Sequence, residues 1–280
     1  MSQALMNIYP DEAMIREGSC ALPSHEAGRR WGSLGISGHT KLALSCLAET
    51  LWPTRCIVCG RPGQVLCEPC MRNLDYIDQW MACPRCGAPF GRVQCTECNS
   101  FAQRSMPQWH LPDGKLPFTQ CVSAVHFDVN SAHIVRGYKD AGEQRLAEFM
   151  AFSMACAVPP GWLMPDTCLS YIPASRKALS RRGFDHVDVL QQHLQRLLGL
   201  PGYQLLAAGR VHDQRGLGRS QRFDNMRGCF YPLQYAFVPS SRVILVDDVF
   251  TTGATLMSAA ETLLDLGFYE VRCLTFARVY

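Results

Sequence analysis

Val243-Ile-Leu-Val-Asp247-Asp248-Val-Phe-Thr251-Thr252-Gly253-Ala254-Thr255 is the stretch that decides the fold of this chain. Val243 to Val246 is an unbroken apolar run, the pattern of a strand buried on both faces within a parallel sheet. Two acids end the run and a turn rich in Thr and Gly follows. A helix is predicted beyond it, with Leu256, Ala260, Leu263 and Leu264 on one face and Gly267 at the C′ position. A loop joining a parallel strand to its helix lies at the carboxyl end of the sheet, where α/β proteins bind their ligands.

The residues of this loop suit a phosphorylated sugar. Successive backbone N–H groups from Thr251 to Thr255 form a cradle for a phosphate at the positive end of the helix dipole. Gly253 admits close approach of the oxygens, Ala254 adds no bulk, and Thr251, Thr252 and Thr255 add hydroxyl donors. Asp247 and Asp248 are matched to ribose hydroxyls, or to a Mg²⁺ held beside them. A Walker B strand also ends in paired acids, but the chain contains no G-x-x-x-x-G-K-[ST], which argues against an NTPase.

Four C-x-x-C turns, Cys56/Cys59 with Cys67/Cys70 and Cys83/Cys86 with Cys95/Cys98, fall within 43 residues. Each turn offers two thiolates, and two turns complete a tetrahedral Cys₄ site, so two structural Zn²⁺ are expected. Sequential pairing is the simplest arrangement, and a cross-braced one uses the same eight ligands. Apolar residues are sparse here, so metal is expected to supply much of the folding energy. The 280 residues leave room for one α/β domain besides, and a net charge of +3 imposes no global basic field. No membrane-length apolar run and no leader pattern is present, so a cytoplasmic protein without membrane insertion is expected.

The division predicted along the chain is an extension over 1–50, a double zinc module over 51–100, a linker over 101–119 and an α/β domain over 120–280. A short helix is expected over 41–51. Strands are expected at Val122–Phe127, Cys168–Ile172 and Val271–Phe276. Ser131 is read as the N-cap of one long helix running through Arg136–Ala157. A second helix spans Phe184–Leu198, with Val187, Leu190, Leu194 and Leu197 on its apolar face and Gly199 ending it. Strands alternating with helices predict a parallel sheet. Between Ile172 and Gly228, ten Lys/Arg face four acids, a local excess of +6 against −3 for the rest of the chain. Arg176, Lys177 and Arg182 follow a strand and are candidates to hold a pyrophosphate, and Arg210–Arg227 reads as a flap. The same basic arm is a candidate surface for single-stranded DNA, with Phe184, Tyr203, Phe223 and Phe230 as candidate stacking residues.

The segment from Asp247 to Thr255 resembles the phosphoribosyl-pyrophosphate (PRPP) motif of type I phosphoribosyltransferases. By that resemblance the two acids serve the ribose hydroxyls and Thr251 to Thr255 the 5′-phosphate. The order Arg55-Cys56, Cys59-Gly60, Leu66-Cys67-x2-Cys70, Cys83-Pro-Arg-Cys86-Gly87, Tyr138-Lys139, Arg182-Gly183-Phe184, Gln214-x2-Leu217, Arg222-x2-Asn225 and Gly228-x-Phe230 precedes the PRPP motif. Together they resemble the ComF/GntX family over about residues 52–280. That resemblance implies a type I phosphoribosyltransferase-like sheet with an N-terminal zinc module, binding of PRPP with Mg²⁺, and a link to DNA uptake in some members or gluconate use in others. It implies either phosphoribosyl transfer or a non-catalytic role in binding nucleotides or single-stranded DNA beside the DNA-uptake machinery. Asp185-His186 departs from the family's usual Asn-Gln and places a negative charge where pyrophosphate is expected; His186 is read as a polar helix residue, with a proton donor as the alternative.

Overall fold

The computed structural model describes residues 53–98, 116–209, 229–233 and 240–279. The expected extension over 1–50, the helix at 41–51, most of the 101–119 linker and the Arg210–Arg227 flap lie outside the described residues.

Four parallel strands form the sheet: β1 (Gln120–His126), β2 (Thr167–Tyr171), β5 (Arg242–Phe250) and β6 (Glu270–Arg278), in the order β1-β6-β5-β2. β3 (Leu206–Ala208) and β4 (Phe230–Pro232) make a separate antiparallel pair. Val243, Leu245, Cys121 and Cys273 meet Leu256, Ala260 and Leu263 of helix α6 (Ala254–Asp265) on one face of the sheet. On the other face, Val122, Ile244, Val246 and Leu274 pack on α2 (Val129–Lys139), α3 (Leu146–Ala157) and α5 (His186–Leu198). This two-sided cover explains why the core strands read as continuous apolar runs. The α/β class and the parallel sheet flanked by helices are as expected.

Three local expectations are corrected. β5 does not stop at Val246: pairing with β6 continues through Asp247↔Thr275, Val249↔Ala277 and Phe250↔Arg278, so both acids stand within the strand. Ser131 is not the N-cap of α2. Asp128 is, its carboxylate accepting from Ser131 N at 2.7 Å while the Ser131 hydroxyl accepts from Asp128 N at 2.8 Å, a reciprocal capping box. The single long helix is two, because Gly142 turns the chain at φ 71° and Glu143 N donates to Gly137 O at 3.0 Å, closing α2 before α3 begins. A short helix that periodicity did not reveal, α4 (Arg176–Arg182), follows β2 with Ser175 as its N-cap. Leu197 and Leu264 are more exposed than their helical spacing implied, at 47% and 39%. The apolar stripes of α5 and α6 are correspondingly narrow.

Candidate functional site

Asp247 and Asp248 are neighbours on β5 and so point to opposite faces of the sheet. Both are buried. Asp248 lies on the side of α2 and α5, where Lys139 Nζ forms an ion pair with its Oδ2 and His186 Nε2 lies 3.3 Å from the same oxygen. Burial works against the charge of Asp248, but the Lys139 ammonium and the His186 hydrogen bond outweigh it and hold the carboxyl well below the usual range. Asp247 has no such partner among the described residues: burial, and then the charge of Asp248, push it well above that range. The Oδ1 of Asp247 accepts from Asp248 N at 2.9 Å. One acid is held ionised by its surroundings and the other is held toward protonation, an asymmetry typical of ligand sites.

His186 is not simply a polar helix residue, as its sequence position suggested. It is buried, and its carbonyl accepts from Tyr138 Oη at 2.5 Å. Its Nδ1 faces Arg182 Nη1 at 3.2 Å. A guanidinium only donates, so Nδ1 accepts there and Nε2 is the nitrogen that donates to Asp248. Arg182 is 13% exposed in its side chain and also reaches Asp140 Oδ1 at 3.9 Å. Lys139 and His186 are the residues that sequence reasoning undervalued; Tyr138-Lys139 in the ordered motifs was the available signal.

The loop after β5 has the expected form. Gly253 takes φ 78° as the N-cap of α6, and Thr252 Oγ1 accepts from Ala254 N at 3.4 Å. Thr251 is exposed, and Thr252 and Thr255 are half-buried. Helix geometry leaves the first N–H groups of α6 without an intrahelical acceptor, directed past this loop. Arg176 and Lys177 open α4 at the same carboxyl edge of the sheet, since α4 follows β2 and β2 pairs with β5. Both are exposed to solvent, whereas Arg182 is drawn inward by His186. Asp185 is turned away from the role of a loose negative charge. Its two oxygens accept from Val187 N at 3.1 Å and Ala174 N at 2.8 Å, capping α5 and tying down the approach to α4.

The eight cysteines gather as two groups. Cys56, Cys59, Cys67 and Cys70 bring their sulfurs within 4.8 Å of one another, and so do Cys83, Cys86, Cys95 and Cys98. Pairing is therefore sequential, not cross-braced. In the second group, hydrogen bonds among the thiols pull Cys83 far down and push Cys86 far up, because groups this close do not ionise together. A divalent cation is the charge that lets all four become thiolates, and four sulfurs leave no open position. The donor set fits two structural zinc ions. Cys56 and Cys67 join the main core beside Leu66 and Leu74, while among the described residues the second group has only Ala88 and the half-buried Leu116 for apolar company.

Residues 47–100 match a protein-family profile described as a double zinc ribbon domain. Over 210 residues the chain is 25% identical to Competence protein ComFC of Bacillus subtilis, covering 74% of this chain and 81% of that one. A shorter match, 37% over 101 residues, links it to Competence protein F of Haemophilus influenzae, covering 35% of this chain and 44% of that protein. The DNA utilization protein YhgH of Escherichia coli K12 is 26% identical over 229 residues, covering 75% of this chain and 95% of its own length. In this chain the double ribbon precedes the α/β sheet. These matches support the ComF family resemblance. Less than half of the Haemophilus protein is spanned by its match, whereas the Bacillus and Escherichia proteins are matched along most of their length. Among the described residues, no helix is long and apolar enough to cross a membrane.

Proposed function

We propose that this chain binds PRPP and carries a phosphoribosyltransferase-type activity in the service of DNA uptake. The observation that carries the reading is the buried acid pair on β5 running directly into the Thr-Thr-Gly loop at the head of α6. The loop N–H groups and threonine hydroxyls take the 5′-phosphate, the acids take the ribose hydroxyls, and Arg176, Lys177 and Arg182 face the pyrophosphate. Mg²⁺, when bound with PRPP beside Asp247 and Asp248, neutralises charge on the leaving pyrophosphate. In transfer, the bond from ribose C1 to pyrophosphate breaks as the acceptor's bond to C1 forms. The names of the matched competence and DNA utilization proteins support the placement in DNA uptake.

Lys139 gives the reading a specific test. In the free protein it neutralises Asp248; when ribose hydroxyls occupy Asp248, its ammonium becomes available to the pyrophosphate. Replacing Lys139 by Met is expected to weaken Mg·PRPP by about tenfold to a hundredfold, as for a lost hydrogen bond to a charged group, and ribose 5-phosphate by much less. Calorimetric titration with both ligands reads the difference, and pyrophosphate release with nucleobase acceptors separates transfer from binding. Equal affinities of parent and variant for PRPP would remove Lys139 from the site.

A second reading, a non-catalytic accessory that holds single-stranded DNA, is favoured by a surface on the second ribbon. Trp80 and Phe90 are 69% and 72% exposed, and the Arg92 guanidinium lies 5.4 Å from the centre of the Trp80 ring. Phe90 also holds φ 56°, a costly conformation for a bulky residue whose ring faces water. Of the stacking residues expected from sequence, Phe230 is buried and Phe184 packs on Tyr138 with ring centres 6.0 Å apart. Phe223 lies outside the described residues, as do Arg219 and Arg222, whose replacement by Ala is expected to flatten the salt dependence of DNA binding. Trp80→Ala is expected to weaken binding of an oligothymidine by roughly 5- to 150-fold, the worth of one stacked base. Fluorescence anisotropy measures this, and unchanged affinity in a Trp80→Ala, Phe90→Ala double variant would discard the surface.

A further inference from the structure

Arg278, near the end of β6, is fully buried, and a buried cation persists only where its surroundings hold it. Its Nη1 donates to Cys86 O at 2.6 Å. Its Nη2 donates to Glu97 Oε2 at 2.7 Å and lies 3.9 Å from Cys86 Sγ. The guanidinium carbon sits 3.9 Å from the centre of the Phe250 ring. That ring in turn fills the space beside Gly253: a Cβ added there would lie 2.6 Å from Phe250 Cζ. A continuous chain of contacts therefore joins a sulfur of the second Cys₄ group to the glycine that shapes the phosphate loop.

We infer that Arg278 is a positioning residue that couples zinc at the Cys83–Cys98 group to the conformation of the loop at Gly253. The inference rests on the reading of that loop as a phosphate cradle. A zinc ion with four thiolates carries a net charge of −2, which the guanidinium partly offsets at Cys86 as a second-layer partner of the metal. Loss of the ion changes both the charge and the shape of the turn that accepts from Nη1. Arg278 is then freed from one side, and Phe250 loses the cation on its face. With its ring unpinned, the left-handed turn at Gly253 is no longer held in register with the head of α6.

Coupling between two sites is reciprocal in binding free energy, so a ligand on the loop must tighten zinc at the second group and, with association unchanged, slow its loss, leaving the first unaffected. The experiment follows zinc release from the full zinc-loaded chain to a chromogenic chelator, with and without saturating Mg·PRPP. A Cys59→Ser variant identifies the phase belonging to the first group. PRPP is expected to slow the second-group phase by about fivefold or more, the lower end of ordinary coupling, with the first-group phase unchanged. Phe250→Leu, which keeps an apolar side chain in the core, is expected to retain two zinc ions and lose the response to PRPP. Arg278→Lys keeps the charge without the fork and is expected to lose most of it. Calorimetry on the parent separates the two possible failures. If PRPP does not bind, the phosphate-loop reading falls and the coupling with it. If PRPP binds while the second-group phase is unchanged, or while Phe250→Leu responds like the parent, the coupling alone is wrong.

Discussion

Changing Asp247 and Asp248 together to Asn is expected to weaken Mg·PRPP binding by about 10²- to 10⁴-fold. Each change removes a carboxylate that Mg·PRPP, by its own charge, holds ionised in the complex, a charged hydrogen-bond acceptor worth roughly 1.5–3 kcal/mol. The single variants should differ in stability, because the two carboxyls are held in opposite senses. The folded state raises the pKa of Asp247, so its contribution to stability is present below the unfolded value of about 4 and is lost as pH rises through the folded value. At neutral pH it is a cost, and Asp247→Asn should melt higher even as it binds less. Asp248 is depressed: its contribution is present above the unfolded value and is lost as pH falls through the folded one. Asp248→Asn strands the Lys139 ammonium, only 25% exposed, beside His186 and should melt lower at pH 7. Calorimetric melting with ligand titration of the three variants tests both signs. Parent-like PRPP affinity in the double variant would mean that the loop shares the fold of the transferases without their site. Gly253→Ala should lose ribose 5-phosphate as well as PRPP. The cause goes beyond the blocked phosphate approach expected from sequence, because the new Cβ meets Phe250 at a φ of 78° that only glycine adopts readily.

The parts of this molecule that were legible in sequence are those set by neighbours along the chain. The β5–loop–α6 unit carries its own apolar run, its turn glycine and its helix period, and each C-x-x-C turn presents its ligands locally. The break between α2 and α3 was hidden because apolar spacing continues across Gly142, and a single glycine within a helical pattern is often tolerated. Asp128 lost to Ser131 as the expected N-cap because both residue types cap, and only the backbone shows that they do so reciprocally. The inner shell of the acid pair was least legible. Lys139 comes from the end of α2 and His186 from the start of α5, 109 and 62 positions before Asp248, and apart from the Tyr138-Lys139 motif nothing local distinguishes them from surface charges. Arg278 is a sharper case: an Arg next to a chain's last residues reads as solvated, and only the meeting of β6 with the second ribbon shows otherwise.

Zinc withdrawal is expected to act unequally on the two ribbons, and the reason is what each has besides metal. Protein purified without added metal should carry two zinc ions by elemental analysis. The first group includes the exposed Cys59 and the half-buried Cys70, so chelators reach it first; all four cysteines of the second are buried. Yet the first group is backed by Leu66 and Leu74 in the main core, whereas the second has, among the described residues, almost no apolar support of its own. A structural zinc site contributes an apparent 10–16 kcal/mol, about as much as the whole stability of an ordinary domain. Cys86→Ser should therefore leave one zinc ion, unfold residues 82–98 to protease and amide exchange, and remove the acceptors that hold Arg278. Cys67→Ser should also leave one ion, but with Leu66 and Leu74 still protected, because the sheet and α2 continue to bury them. Folded protein with zinc content near one or zero before any substitution would overturn the two-site assignment. Equal protection of residues 82–98 in the parent and in Cys86→Ser would show that the second ribbon folds without its metal.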